Sequence, residues 1–169
     1  MRHRLTLPFL AAPVLLVACH APAGAASAPE PVPAVEVEVE RAAIEQLLND
    51  WHQAASVADG ARYFGHMAED AVYLGTDASE RWTLATFRAF CEPYFKKGVG
   101  WTYTPRERHV FVEGAVAWFD EKLWNDKYGE CRGTGALRKL GGEWKLAHYS
   151  LTLLVPNERA ADVVQVIRR

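Results

Sequence analysis

Apolar positions in the first half of the chain repeat at helical spacing. Ile44, Leu47, Leu48, Trp51 and Ala55 fall on one stripe and predict a helix from about Val37 to Val57, ended by Asp59-Gly60. Asp59 is also a capping side chain, so a second, shorter helix carrying Tyr63, Phe64 and Met67 is expected to follow it. Ala71-Val72-Tyr73-Leu74 then reads as a short strand stopped by Gly75, and Thr83 as the N-cap of a third helix. That helix places Leu84, Phe87 and Cys91 on one face, and Pro93 must kink or end it. Past Gly98 and Gly100 four β-like runs follow, 101–112, 115–124, 132–140 and 144–155. Glu113-Gly114 and Gly141-Gly142 stand where tight hairpin turns are needed. Helices first and an antiparallel meander afterwards predict an α+β domain.

The last run alternates clearly. Leu146, His148, Ser150 and Thr152 share one side by parity, with Trp144 at the start of the same row, while Ala147, Tyr149, Leu151 and Leu153 share the other. A polar row is ordinarily a solvated sheet face. Here Trp144 and, across the Gly-Gly turn, Arg132, Thr134 and Ala136 make the row mixed, as the lining of a ligand pocket is.

The chain begins differently. Residues 1–18 run from a basic start (Arg2, His3, Arg4) into an apolar stretch too short to span a membrane, the pattern of a secretory signal. The stretch ends in Leu16-Val17-Ala18-Cys19, which resembles the bacterial lipobox. The resemblance implies cleavage before Cys19 and lipidation of that residue; the other reading is an ordinary cut near Ala26 or Ala28. Acyl chains on Cys19 would bury many CH₂ groups at about 0.8 kcal/mol each, giving stable anchoring. A cell-envelope, periplasm-facing location follows, and His20 in place of an inner-membrane retention Asp favours the outer membrane. Residues 19–34 then form the lipidated Cys and an Ala/Pro-rich tether, too poor in apolar surface to fold. Residues 35–157 form the domain, and 158–169 a tail or short helix.

Composition narrows the options. With 19 Lys+Arg against 21 Asp+Glu the net charge is −2, so there is no basic field to gather nucleic acid, and none is expected as a partner. Loss of Arg2 and Arg4 with the signal makes the mature chain more acidic still. The 3 Cys are too few for a disulfide scaffold and lack zinc-site spacing, so neither a metal nor another cofactor is expected. Cys91 and Cys131 are either bridged in an oxidising compartment or two buried thiols.

The helix order, Gly75-Thr76-Asp77 with Glu80-Arg81-Trp82, and the closing segment from Arg132 to Thr152 (RGTG…LRKLGGEWKLAHYSLT) resemble the nuclear transport factor 2-like superfamily. Within it they look like the SnoaL-like bacterial branch, over residues 38–157. The R-x-T…G-x-W-x-x-x-H-x-S pattern is also similar to the association domain of calcium/calmodulin-dependent kinases. The resemblance implies a cone-shaped fold, three N-terminal helices packed in a strongly curved mixed or antiparallel sheet, with a pocket at the wide end. It also implies a homodimer through the outer sheet face. Some relatives are isomerases, cyclases, epoxide hydrolases or dehydratases, and others only bind ligands or drive assembly, so the fold does not decide the function.

Candidate chemistry is sparse. His148 is the foremost acid/base candidate, near Ser150 and, across the hairpin, Thr134 or Arg132; otherwise it is a structural histidine. Asp120 and Glu121 are adjacent on a strand, so one of them faces inward, and parity does not say which. An inward Arg132 would offer an acidic ligand a bidentate fork; outward, it is an ordinary strand arginine. Trp51, Tyr73, Trp82, Phe87 and Trp118 are core residues that, in a cone, double as pocket wall, although Trp-rich outer strands also suit a dimer surface. Asp77 and Glu80-Arg81 suit turn and helix-start roles. His52 and His66 have no carboxylate at ligand spacing. The expectation is an exported lipoprotein binding a small, largely apolar molecule, acidic if Arg132 faces it. Its alternatives are a cofactor-free isomerase, cyclase or hydratase using His148 with a carboxylate, and a dimeric envelope assembly module.

Overall fold

The apolar stripe of the first helix folds against a sheet built mostly from the second half of the chain. A computed structural model describes residues 34–168; the signal, Cys19 and the tether up to residue 33 lie outside the described residues. In chain order the elements are α1 (Ala34–Ser56), α2 (Gly60–Gly65), β1 (Met67–Leu74), β2 (Arg81–Thr83) and α3 (Leu84–Phe95). β3 (Thr104–Glu113), β4 (Val116–Asn125), β5 (Gly129–Leu140), β6 (Glu143–Leu153), a 3-10 turn (Asn157–Arg159) and α4 (Ala160–Ile167) complete it. The fold is mixed α+β, with four α-helices among the described residues, the fourth falling in the segment 158–169 that was expected to be a tail or short helix.

The six strands form one sheet in the order β2-β1-β6-β5-β4-β3. β3 to β6 are the expected meander, joined at the two glycine turns; Gly114, Gly141 and Gly142 all take positive φ, as tight turns of this hand require. β1 pairs with β6 in parallel, so the first strand lies beside the last and the sheet is mixed. β2, three residues long and absent from the sequence reading, pairs with β1 at the edge.

Capping follows the sequence. The Asp59 carboxylate accepts from the Arg62 amide at 3.1 Å and starts α2, and the Thr83 hydroxyl accepts from Thr86 at 3.3 Å and starts α3. α3 runs two residues past Pro93, which removes one backbone donor in the last turn. The α1 stripe is buried at Ile44, Leu48, Trp51 and Ala55 and packs against the inner sheet face, where Ala117, Phe119, Leu123, Leu137, Tyr149 and Leu151 meet it.

One irregularity changes the reading of β6. Leu137 pairs with Leu146 but Ala136 pairs with His148, so Ala147 is an extra residue on β6, a β-bulge. The bulge flips parity along the strand: Trp144 and Leu146 before it and Tyr149 and Leu151 after it all point inward. Trp144 therefore does not share a side with His148 and Ser150. Its indole instead donates to Glu40 of α1 at 2.5 Å, where Lys139 also binds.

Candidate functional site

The chemistry-bearing interior has two parts, a closed ionic cluster and an open aromatic pocket. The cluster centres on Glu121, whose side chain is 0% exposed on the inner face of β4. Its Oε1 lies 2.7 Å from His52 Nε2 and accepts from the Tyr149 hydroxyl at 3.3 Å. Its Oε2 accepts from Arg108 Nε at 2.9 Å, with the second guanidinium nitrogen at 2.8 Å. Arg108 is held in turn by the Glu45 carbonyl at 3.2 Å and Asn49 Oδ1 at 2.8 Å, both on α1. Burial on its own would raise the Glu121 pKa and is the largest single influence; His52 and Arg108 together outweigh it and hold the carboxyl below its usual range. Gly133 on β5 makes room for this arrangement: a Cβ there would collide with the Tyr149 hydroxyl and lie 2.8 Å from Glu121 Oε1. Both carboxylate oxygens are thus occupied and enclosed, as a structural buried ion pair requires.

The pocket is a cavity of about 210 Å³ between the β1–β2 turn, α3, the segment leading into β3 and the β4–β5 turn. Tyr73, Trp82 and Phe87 form its stacked wall, with ring centroids 4.0 Å apart for Tyr73–Phe87 and 5.3 Å for Trp82–Phe87. Trp101 and Tyr103 close the facing side, and Phe90 and Tyr128, each 44% exposed, form the rim. Among the described residues, the charged group lining it is Glu80. Burial pushes the Tyr73 and Tyr103 hydroxyls well above the usual phenol range, with the Glu80 charge a smaller contribution to both, so they serve as neutral hydrogen-bonding groups. A second cavity of about 570 Å³ shares Phe90, Trp101, Tyr103 and Tyr128 with the first.

A helix-led, six-stranded mixed sheet enclosing an aromatic pocket agrees with the family comparison, in which the pattern of the SnoaL-like domain matches residues 44–156. The chain belongs to the SnoaL-like domain family. No curated protein sequence matches it significantly. Among solved structures, the SnoaL-like domain is similar to a nuclear transport factor 2-like protein of unknown function from Pseudomonas putida KT2440. The TM-score is 0.61 at 19% identity, over 72% of this chain and 91% of that one. A nuclear transport factor 2-like protein with a cystatin-like fold from Novosphingobium aromaticivorans gives 0.58 at 16% identity, over 78% and 92% of the two chains. A second protein of that organism, whose name proposes a scytalone dehydratase, gives 0.59 at 15% identity, over 70% and 86%. At these identities the likeness shows the fold, which is nuclear transport factor 2-like.

Within the SnoaL-like domain the predicted site residues separate into two groups. Tyr73, Trp82 and Phe87 come together in the pocket wall, and Trp51 lies deeper, stacked on Tyr63 at 5.0 Å. Glu121 is the inward member of the acidic pair, on the face of Ala117, Phe119 and Leu123, and Asp120 faces outward. His148, Ser150, Thr134, Arg132, Asp120 and Trp118 all belong to the outer face, because the Ala147 bulge and the β4–β6 registers put them there. His148 stands opposite Ala136, not Thr134 or Arg132, and is separated from Glu121 by the sheet. Arg132 is exposed, so it offers no fork to a ligand in the pocket, whose lining charge is negative. Trp118 is 45% exposed and stacks on Phe111 at 5.7 Å.

His52, Arg108 and Tyr149 complete the cluster; from the sequence, His52 was weighed only as a metal ligand, and Arg108 and Tyr149 were given no site role. His52 was detectable: it lies one turn after Leu48 on the buried stripe of α1, where a histidine must find a buried partner. His66 caps α2 rather than lying within it, and its Nε2 is 2.7 Å from Asp50. Asp77 does organise its turn, accepting from the Ser79 amide at 2.8 Å, and Glu80 accepts from the Asp77 amide at 3.2 Å. Cys91 and Cys131 are both free and buried, and burial pushes the Cys91 thiol up to about 12. Among the described residues no three His, Cys, Asp or Glu side chains converge as a metal site.

Proposed function

We propose that this protein is an exported, membrane-anchored binding module that takes up a small, largely apolar molecule in the aromatic pocket. The observation that carries the reading is the pocket itself: ring walls, neutral tyrosine hydroxyls and an open rim. At about 210 Å³ it is smaller than the roughly 300–1,000 Å³ of drug-sized sites, so it suits a ligand of roughly ten non-hydrogen atoms. Anchoring rests on the signal-like residues 1–18 and the lipobox-like Leu16-Val17-Ala18-Cys19. An isomerase, cyclase or hydratase built on Glu121 has less support, because both of its oxygens are engaged and His148 lies across the sheet.

Outer-face exposure of Phe111, Val116 and Trp118 favours a homodimer through the sheet, compatible with the binding reading. Native mass spectrometry of the purified protein tests both together. A retained small molecule that is lost in Phe87→Ala supports the pocket. Mass identical to the bare chain in every charge state, with no uptake from added small aromatic compounds, would remove the reading. Cys19→Ala should shift the protein out of the membrane fraction; unchanged fractionation would overturn the anchor.

A further inference from the structure

The chemistry of the pocket lining narrows the ligand beyond its size and apolarity. Aromatic faces carry negative potential, and a cation seated on them is attracted by the ring quadrupole. The Glu80 carboxylate adds a full negative charge at the same wall, and its fixed neighbours are an amide and a glycine rather than a cation. The Asp77 amide donates to Glu80 Oε2 at 3.2 Å, the Gly75 amide to the Glu80 carbonyl at 2.9 Å, and a Cβ on Gly75 would collide with the carboxylate. Gly75 thus lets the carboxylate fold back over the end of β1, beside Tyr73. At the rim one face is already used by a cation, since Lys127 Nζ sits 4.8 Å from the centre of the Tyr128 ring. Rings plus a carboxylate, with no Lys, Arg or His lining the cavity among the described residues, form a poor site for an acid and a good one for an organic cation.

Resting on the reading that this pocket is the binding site, we propose that its ligand is an organic ammonium. Its charged, methylated or protonated nitrogen sits beside Glu80 against Tyr103, which feels the Glu80 charge, and its apolar arm lies along Trp82 and Trp101. The carboxylate balances the charge, the rings replace the hydration shell, and the tyrosine hydroxyls can accept from an N–H where the nitrogen carries one.

The matched pair phenyltrimethylammonium and tert-butylbenzene, equal in shape and different in charge, tests this by calorimetric titration of the full-length protein. A desolvated cation–π contact with a paired carboxylate predicts that the ammonium binds about tenfold tighter or more than the neutral isostere. In Glu80→Gln, which keeps an acceptor for the Asp77 amide, the ratio should fall below about threefold, and Trp82→Ala should remove binding of both. Equal affinities in the native protein, or a ratio unchanged in Glu80→Gln, would overturn the ammonium assignment while leaving the apolar pocket standing. Failure of both compounds to bind, or binding that survives Trp82→Ala, would overturn the pocket reading and the ammonium assignment together.

Discussion

Glu121→Gln is the substitution that most sharply tests the interior. The carboxylate is fully enclosed and shared between Arg108 and His52, whose side chains are each 8% exposed. Replacing it with an amide keeps the volume but removes the charge, leaving the guanidinium uncompensated in a medium that water barely reaches. Breaking one side of such a buried pair costs about 3–5 kcal/mol. For a domain of this size that corresponds to a fall in melting temperature on the order of 10–20 °C. Acid titration supplies an independent readout. The folded pKa of Glu121 lies below its unfolded value, so its contribution to stability is present above the unfolded pKa, about 4.3, and is lost as pH falls through the folded value. The native protein should therefore lose stability below about pH 4 more steeply than Glu121→Gln does. A double-mutant cycle with Arg108→Met should return a coupling of about 1–3 kcal/mol. A melting temperature within 2 °C or so of the native value, with an identical acid limb, would refute the reasoning.

Trp144→Ala should cost about 3–5 kcal/mol in denaturant titration, since the ring is 7% exposed and its N–H is taken by Glu40, whereas the half-exposed Trp118→Ala should cost less than about 1 kcal/mol. The reverse order would show that the faces of the sheet have been misassigned. Gly133→Ala should destabilise by about 1–3 kcal/mol, because its methyl enters the space of Tyr149 and Glu121; a neutral effect would mean that the cluster is looser than described. Peptide mapping after treatment with a thiol reagent should find Cys91 and Cys131 labelled only after unfolding, and rapid labelling of either in the folded protein would contradict their burial.

How much of this was legible in the sequence depends on range. Local signals carried the caps at Asp59 and Thr83, the stripe of α1 and the turns at Gly114 and Gly141-Gly142, because each depends on neighbours within a few residues. The parallel pairing of β1 with β6 joins segments about eighty residues apart and left no mark in either. β2 is too short to show alternation, and α4 presents Val164, Val166 and Ile167 outward, so its pattern gave no buried face to read. On β6 the site was misread at the Ala147 bulge, which turns His148 and Ser150 away from the interior that strict alternation had given to Trp144. The choice between Asp120 and Glu121 was undecidable locally, since both have aromatic companions; it is settled by Arg108 and His52 arriving from β3 and α1. The aromatic wall was foreseen in Tyr73, Trp82 and Phe87, but its facing side, Trp101 and Tyr103, was assigned to a strand that begins only at Thr104.

The central claim is that the pocket is where this protein meets its ligand, and the six tryptophans provide a direct test. Trp82 and Trp101 line the pocket, Trp51 and Trp144 are buried elsewhere, Trp118 is on the outer sheet face, and Trp124 is tied to Asp126 through its indole N–H. In ¹H–¹⁵N spectra of the protein titrated with phenyltrimethylammonium or tert-butylbenzene, the Trp82 and Trp101 indole signals should move together and saturably. The other four should stay close to their starting positions. Movement confined to Trp118, or no movement at saturating probe, would contradict the account.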